Sequence, residues 1–215
     1  MTDSRKEDDK MNVLMINGSP NAKGCTFTAL TEIGKTLQEQ NIDYEIMQLG
    51  KQPIRDCINC NRCHGEGCIF DDDMVNEFIQ KAKDADGFVF GTPVYYAHPS
   101  GRILSALDRV FYAGSKAFAF KPAASIVSAR RGGTTASVDV LNKYFTINQM
   151  PVVASTYWNM VHGNKPEEVK QDLEGLQTMR NIASNMAWLL RCIEAGREKG
   201  ITTPENQKVQ TSFIR

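Results

Sequence analysis

Five short apolar runs recur along this chain, spaced so that each neighbouring pair leaves room for a helix. They are NVLMI (12–16), YEIMQL (44–49), GFVFG (87–91), AASIVSA (123–129) and VVASTY (152–157). Three of them are almost continuous in apolar or small residues, the pattern of strands buried on both faces. The intervening segments carry helical stripes: Leu30, Ile33 and Leu37; Val75, Phe78 and Ala82; Ile103, Leu107, Val110 and Phe111; Val138, Leu141 and Phe145. A final long helix is predicted to start at Pro166, its stripe running through Val169, Leu173, Leu176, Met179, Ala183, Met186, Leu190 and Ile193. Strands alternating with helices predict an α/β fold, a doubly wound parallel sheet with helices on both faces. Such sheets bind ligands beyond the carboxyl ends of their strands, so the loops there are the place to look for chemistry.

The rest of the composition narrows the field. At 215 residues one domain is the simplest reading, and 25 basic against 25 acidic residues give no field for nucleic acid or an anionic membrane. No apolar run approaches the roughly 18–20 residues of a membrane span, and the start resembles no signal peptide, so the expected setting is cytoplasmic. Residues 1–10 read as a polar tail, 11–200 as the folded unit and 201–215 as a C-terminal extension.

Three loops stand at the expected edge. NGSPNAKGCTFT (17–28) leads from the first strand into the first helix, with Gly18 and Gly24 for tight turns and Ser19, Asn21, Thr26 and Thr28 as donors. Free amides at a helix start, backed by the helix dipole, suit a phosphate. Neither a Walker P-loop nor a G-x-G-x-x-G fingerprint is present. After the third strand, GTPVYYAHPSG (91–101) sets Tyr95 and Tyr96 where they can wall a flat aromatic ligand, and Ser100 where it can cap the next helix. After the fourth, SARRGGTT (128–135) offers Arg130 and Arg131 to an electron-rich ring edge or a phosphate, Gly132 and Gly133 for close backbone approach, and Thr134 as a helix cap.

Four of the six cysteines crowd into CINCNRCHGEGC, between the second strand and second helix. The spacing Cys57-x2-Cys60-x2-Cys63 is that of compact runs that wrap an iron–sulfur cubane. Because Ile69 rather than proline follows Cys68 and no second set exists, Cys68 would complete the same 4Fe–4S cluster, with Gly65 and Gly67 letting the loop fold back. Zinc, with His64 a conceivable ligand, redox thiols, and four unliganded cysteines are the alternatives. Cys192 falls on the last apolar helix and is expected in the core.

Taken in order, NGSP…GCT, C-x2-C-x2-C-x4-C…DDDM, GTPVYY…SG…LDR and SARRGG resemble the flavodoxin-like NADPH-dependent FMN reductase family, in its iron–sulfur flavoprotein branch, over about residues 12–195. The resemblance implies a flavodoxin-like five-stranded sheet of order 2-1-3-4-5. It implies that Ser19, Asn21, Gly24, Cys25 and Thr26 hold the phosphate of FMN, and that Pro93, Val94, Tyr95 and Tyr96 line the isoalloxazine. Arg130, Arg131, Gly132 and Gly133 would lie on its pyrimidine side. Many relatives have arginine near Asn21 and asparagine at Cys25, so phosphate contacts here should lean on backbone amides.

The implied activity passes electrons from NADH or NADPH through the flavin to an acceptor such as a quinone, an azo or nitro compound, or a redox protein. No catalytic side chain is required, and the loop residues His98 and His162 are assigned none. A homodimer or homotetramer is expected, a neighbouring subunit closing the flavin site, with Trp158 a candidate contributor. Two rival readings are a carrier fed by ferredoxin that does not use NAD(P)H, and a redox-sensing or zinc-stabilised binding protein without FMN.

Overall fold

The computed structural model describes residues 10–63, 67–211 and 213; most of the polar tail, together with His64 and Gly65, lies outside the described residues. β1 (Asn12–Asn17) lies inside the sheet, its side chains buried on both faces. Alternate residues point to opposite sides of a strand, so Leu14 and Ile16 enter one core and Val13 and Met15 the other. β2 (Asp43–Gln48) flanks β1 on one side and β3 (Gly87–Tyr95) on the other, both parallel. β5 (Ala123–Ala129) and β6 (Met160–His162) continue the sheet beyond β3. Its parallel strands follow the expected 2-1-3-4-5 order, and a two-residue β4 (His98–Pro99) folds back antiparallel on β3.

The helices cover both faces. α1 (Cys25–Glu39) and α6 (Leu173–Glu198) pack over Val13, Met15, Val89, Ala124 and Ile126. α2 (Val75–Asp84), α3 (Gly101–Gly114) and α4 (Thr134–Ile147) pack over Leu14, Ile16, Phe88 and Phe90. The second core is aromatic. Phe88, Phe90, Phe111, Phe118 and Phe145 approach one another at centroid distances of 4.8–6.2 Å, within the range where ring pairs add to burial. Among the described residues no helix is long and apolar enough to cross a membrane.

Four expectations need correction. The run VVASTY is not the fifth strand. Val152 makes one isolated bridge to Ala123, the chain leaves the sheet, and pairing resumes only at Met160–His162. The excursion is held by side chains: Asn185 donates to the Ala154 carbonyl (2.8 Å), Asn181 to the Thr156 hydroxyl (2.8 Å) and Asn159 to the Val153 carbonyl (3.3 Å). Polar groups from α6 thus replace ladder partners, which β-propensity cannot foresee.

The helix begun at Pro166 is also interrupted. A single turn, α5 (Pro166–Val169), ends before Asp172, whose side chain caps α6 by accepting from Gly175 N at 2.9 Å. The break turns Leu173 out of the stripe, leaving it 75% exposed. Cys192 is exposed rather than in the core, since it lies one helical turn beyond exposed Trp188, off the buried stripe of Ile182, Met186 and Leu190. The cap of α4 is Gly133, in the left-handed region at φ 92°, and Thr134 is already the first helical residue.

Candidate functional site

The register aligns the carboxyl ends of the central strands, because Asn17 pairs with both Gln48 and Gly91. That alignment shapes the first loop. The Asn17 amide donates to Gln48 Oε1 (2.5 Å), its oxygen accepts from Ser19 N (3.1 Å), and Gln48 Nε2 donates to the Ser19 carbonyl (2.6 Å). Ser19 Oγ in turn accepts from Asn21 N (3.1 Å). Gly18 N bonds the Gly91 carbonyl at 2.7 Å, and a Cβ on Gly18 would stand 2.8 Å from that oxygen, so only glycine lets β1 and β3 close here.

The loop ends at Gly24, which caps α1 without a side-chain acceptor. The helix start therefore points backbone amides and the positive end of its dipole into a cleft of about 650 Å³. Asn21, Gly24 and Cys25 line this cleft together with Lys23, Gln48, Lys51 and Asn164. Ser19 and Thr26 lie beneath it. Ser19 is buried, and the Thr26 hydroxyl is engaged with Ser128 Oγ at 2.8 Å. The Cys25 thiol is pushed above its ordinary value chiefly by burial and then by the Glu168 and Glu167 carboxylates, against its own backbone amide. The donor set suits a phosphate: amides and lysines, with no carboxylate among the described residues of the lining.

The second and third loops meet at one point. β3 and β4 form a two-residue hairpin through Tyr96 and Ala97, both at positive φ (50° and 61°), the geometry of a type I′ turn. Neither is glycine or asparagine, so the turn carries backbone strain at the predicted ring-binding edge. Tyr95 is half-exposed and Tyr96 fully exposed, and Pro93 and Val94 sit partly buried behind them. Gly133 packs under this hairpin: a Cβ there would lie 2.5 Å from Ala97 Cα and 2.8 Å from Val94 Cγ1. Arg130 and Arg131 are exposed beside it. Gly132, between them and Gly133, has open space where a side chain would stand. Ser100 caps α3, as expected, and also donates to the Gly18 carbonyl (2.9 Å), tying the first loop to the second. The hairpin and the arginine loop form an open rim rather than part of the lysine-lined cleft.

The cysteine loop makes a separate site. Cys57, Cys60, Cys63 and Cys68 all line one cavity of about 180 Å³, with Phe70, Arg109 and Tyr112. Among the described residues no three His, Cys, Asp or Glu side chains gather as a single-ion site. All four thiols line this one cavity, and thiolates are the donors that both iron–sulfur clusters and zinc take. Burial, and then the neighbouring thiols Cys68, Cys60 and Cys57, push the Cys63 thiol up.

Gly67 takes φ 140° and turns the chain so that Asn76 on α2 clamps the Cys68 backbone, accepting from its N–H (2.7 Å) and donating to its carbonyl (2.9 Å). Arg109, buried on α3, directs Nε at Cys68 Sγ at 3.2 Å. Burial works against the Arg109 charge, but Asp73 and the Cys68 sulfur hold its pKa above the ordinary value.

Sequence reasoning missed Asn17, Gln48, Asn76 and Arg109. Two carried a readable signal: a polar residue ending the buried run LMIN, and a lone arginine inside the apolar stripe of Ile103, Leu107 and Val110.

The sheet order and the glycine-bearing loops at its carboxyl edge define a flavodoxin-like α/β protein. The solved NAD(P)H:quinone oxidoreductase from Methanothermobacter marburgensis shares the fold, with a TM-score of 0.63 at 17% identity over 83% of this chain and 100% of that one. The family model described as NADPH-dependent FMN reductase matches residues 11–165. An iron–sulfur flavoprotein of Methanocaldococcus jannaschii is 31% identical over 86% of this chain and its own full length. Another, from Methanosarcina thermophila, is 27% identical over 88% of this chain and again its full length. The chain belongs to the NADPH-dependent FMN reductase family, in the branch of the iron–sulfur flavoproteins. Membership makes it an FMN-dependent oxidoreductase.

Proposed function

We propose that this chain passes electrons from NADH or NADPH through FMN to an acceptor, with a 4Fe–4S cluster on Cys57, Cys60, Cys63 and Cys68 as a second redox centre. The observation that carries the cluster is the lining of one cavity by all four thiols, with a buried guanidinium against one of them. FMN supplies hydride acceptance and one-electron transfer, and a cluster supplies one-electron relay.

The chain's own residues do the rest. Asn17 and Gln48 hold the Ser19–Gly24 loop in shape, the Gly24–Thr26 backbone offers amides to the phosphate, and Lys23 and Lys51 offset its charge. Pro93–Tyr96 and Arg130–Gly133 supply the rim for the ring. Thr26, bonded to Ser128, acts by orienting α1. The acceptor class is a quinone, an azo or nitro compound, or a redox protein, and the expected setting is cytoplasmic. Exposed Tyr157 and Trp158, in edge-to-face contact at 4.9 Å on the excursion before β6, suit a second copy of the chain in a dimer or tetramer.

A second reading draws on the rim of the cysteine cavity. Ile58 and Tyr112 are exposed there, a surface suited to a protein electron donor such as a ferredoxin. Anaerobic purification followed by an absorption spectrum and iron and sulfide analysis tests the pair of cofactors. Flavin bands with no iron after reconstitution would reject the cluster. Mixing with NADPH and NADH then decides the donor: bleaching of the flavin by either supports the reductase, and bleaching only by reduced ferredoxin supports the carrier. Protein that stays colourless after incubation with FMN would refute both.

A further inference from the structure

Arg109 is placed unusually for a charged residue. It projects from α3 into the core with 1% of its side chain exposed, and each of the three nitrogens of its planar fork has a partner. Nη1 donates to the Arg55 carbonyl (3.2 Å) and pairs with the Asp73 carboxylate, itself 6% exposed. Nη2 donates to the Phe70 carbonyl at 3.2 Å. The guanidinium carbon lies 5.3 Å from the Phe70 ring centre. One side chain thus grips the cysteine loop two residues before Cys57 and two residues after Cys68. Its third nitrogen, Nε, donates to the Cys68 sulfur at 3.2 Å.

We infer that Arg109 is a positioning residue that sets the reduction potential of the centre held by the four cysteines, through its N–H to Cys68 sulfur; the inference rests on the cluster reading above. The physical reason is charge. A cluster gains one electron on reduction with no bond made or broken, and an N–H donor and a fixed positive charge favour the more negative state. Arg109 does not release a proton in this range, so its influence is constant with pH. The Cys68 backbone is held by Asn76 and its sulfur by Arg109, so both the main chain and the side chain of Cys68 are fixed by neighbouring helices. A lysine could satisfy Asp73, but as a point charge it could not also reach the sulfur and both loop carbonyls.

The full chain is purified anaerobically as wild type, Arg109→Lys, and the charge-balanced pair Arg109→Gln with Asp73→Asn, which leaves no buried charge unpaired. Iron per chain, melting temperature and cluster midpoint potential, followed by electron paramagnetic resonance during dithionite titration, are read on each. Wild-type iron content in Arg109→Lys with reduction disfavoured about tenfold, a fall of about 59 mV for one electron, is the expected result. The charge-balanced pair should fall further. Iron lost at an unchanged melting temperature also supports the positioning of Cys68. Iron retained with an unchanged potential overturns the inference while leaving the cluster reading intact. Iron lost together with a collapse in melting temperature reduces Arg109 to a loop clasp and overturns it as well. A wild-type chain that binds no iron removes both readings together.

Discussion

Replacing Gly133 by alanine should weaken the protein more than the same change at its neighbour Gly132 on the rim of the proposed flavin site. Gly133 stands at φ 92°, where a side chain costs about 1–2 kcal/mol. Its new methyl would lie 2.5 Å from Ala97 Cα and 3.0 Å from Ala97 C, so backbone must move. Overpacking of this kind costs about 1–3 kcal/mol, giving a total of about 2–5 kcal/mol. For a chain of this size that is a fall in melting temperature of about 4–20 °C. The lower half of the range is expected, because the hairpin bearing Tyr96 and Ala97 is exposed and can yield. Yielding moves the predicted ring-binding edge, so FMN retention should fall as well. Gly132 is the matched control. Its φ lies outside the left-handed region and an added methyl would meet no atom within 4 Å, so Gly132→Ala should change stability by less than about 0.5 kcal/mol. Differential scanning calorimetry on the two variants checks the difference. Equal melting temperatures would refute the packing of the hairpin on Gly133.

Asn17→Ala should raise the FMN dissociation constant about tenfold in a fluorescence titration, since it leaves Ser19 N and Gln48 without their partner and costs roughly 1–3 kcal/mol. Gln48→Ala should act in the same direction, and the double variant should be less than additive because the two share one network. Asp172→Ala removes the cap of α6 and the acceptor of His162 N (2.6 Å), and should lower the melting temperature by about 2–8 °C, with Asp172→Asn recovering part of the loss. In iodoacetamide labelling at about pH 8, Cys192, exposed on α6, should react before Cys25. The raised Cys25 pKa means less thiolate at that pH, so its labelling should speed up as pH rises further, and peptide mass spectrometry reads both rates.

Burial was legible along the chain because it has a period. The runs at 12–16, 87–91 and 123–129 are apolar on both faces, and a strand buried on both faces in an α/β chain belongs inside a parallel sheet. The loops at its carboxyl edge followed from that topology, as did the clustering of four cysteines between β2 and α2. The fifth strand was not legible, since VVASTY has the composition of a strand and loses its ladder to Asn181 and Asn185 of a helix some thirty residues later. The break at Asp172 escaped for the same reason: its carboxylate is held as much by His162 N as by the helix it caps.

Residue types and spacing by themselves determined the α/β class and which loops end at the carboxyl edge of the sheet, because those depend on local periodicity and on connection rules. Which atoms face a ligand was decided only by tertiary structure. Thr26, a sequence candidate for phosphate, spends its hydroxyl on Ser128, whereas Gln48, from the neighbouring strand, lines the cleft and braces its loop. Arg109 lies 41 residues from Cys68 and meets it only because α3 packs beneath the cysteine loop. A hydrogen bond between distant residues has no period and no spacing, so no reading of the chain alone could place it.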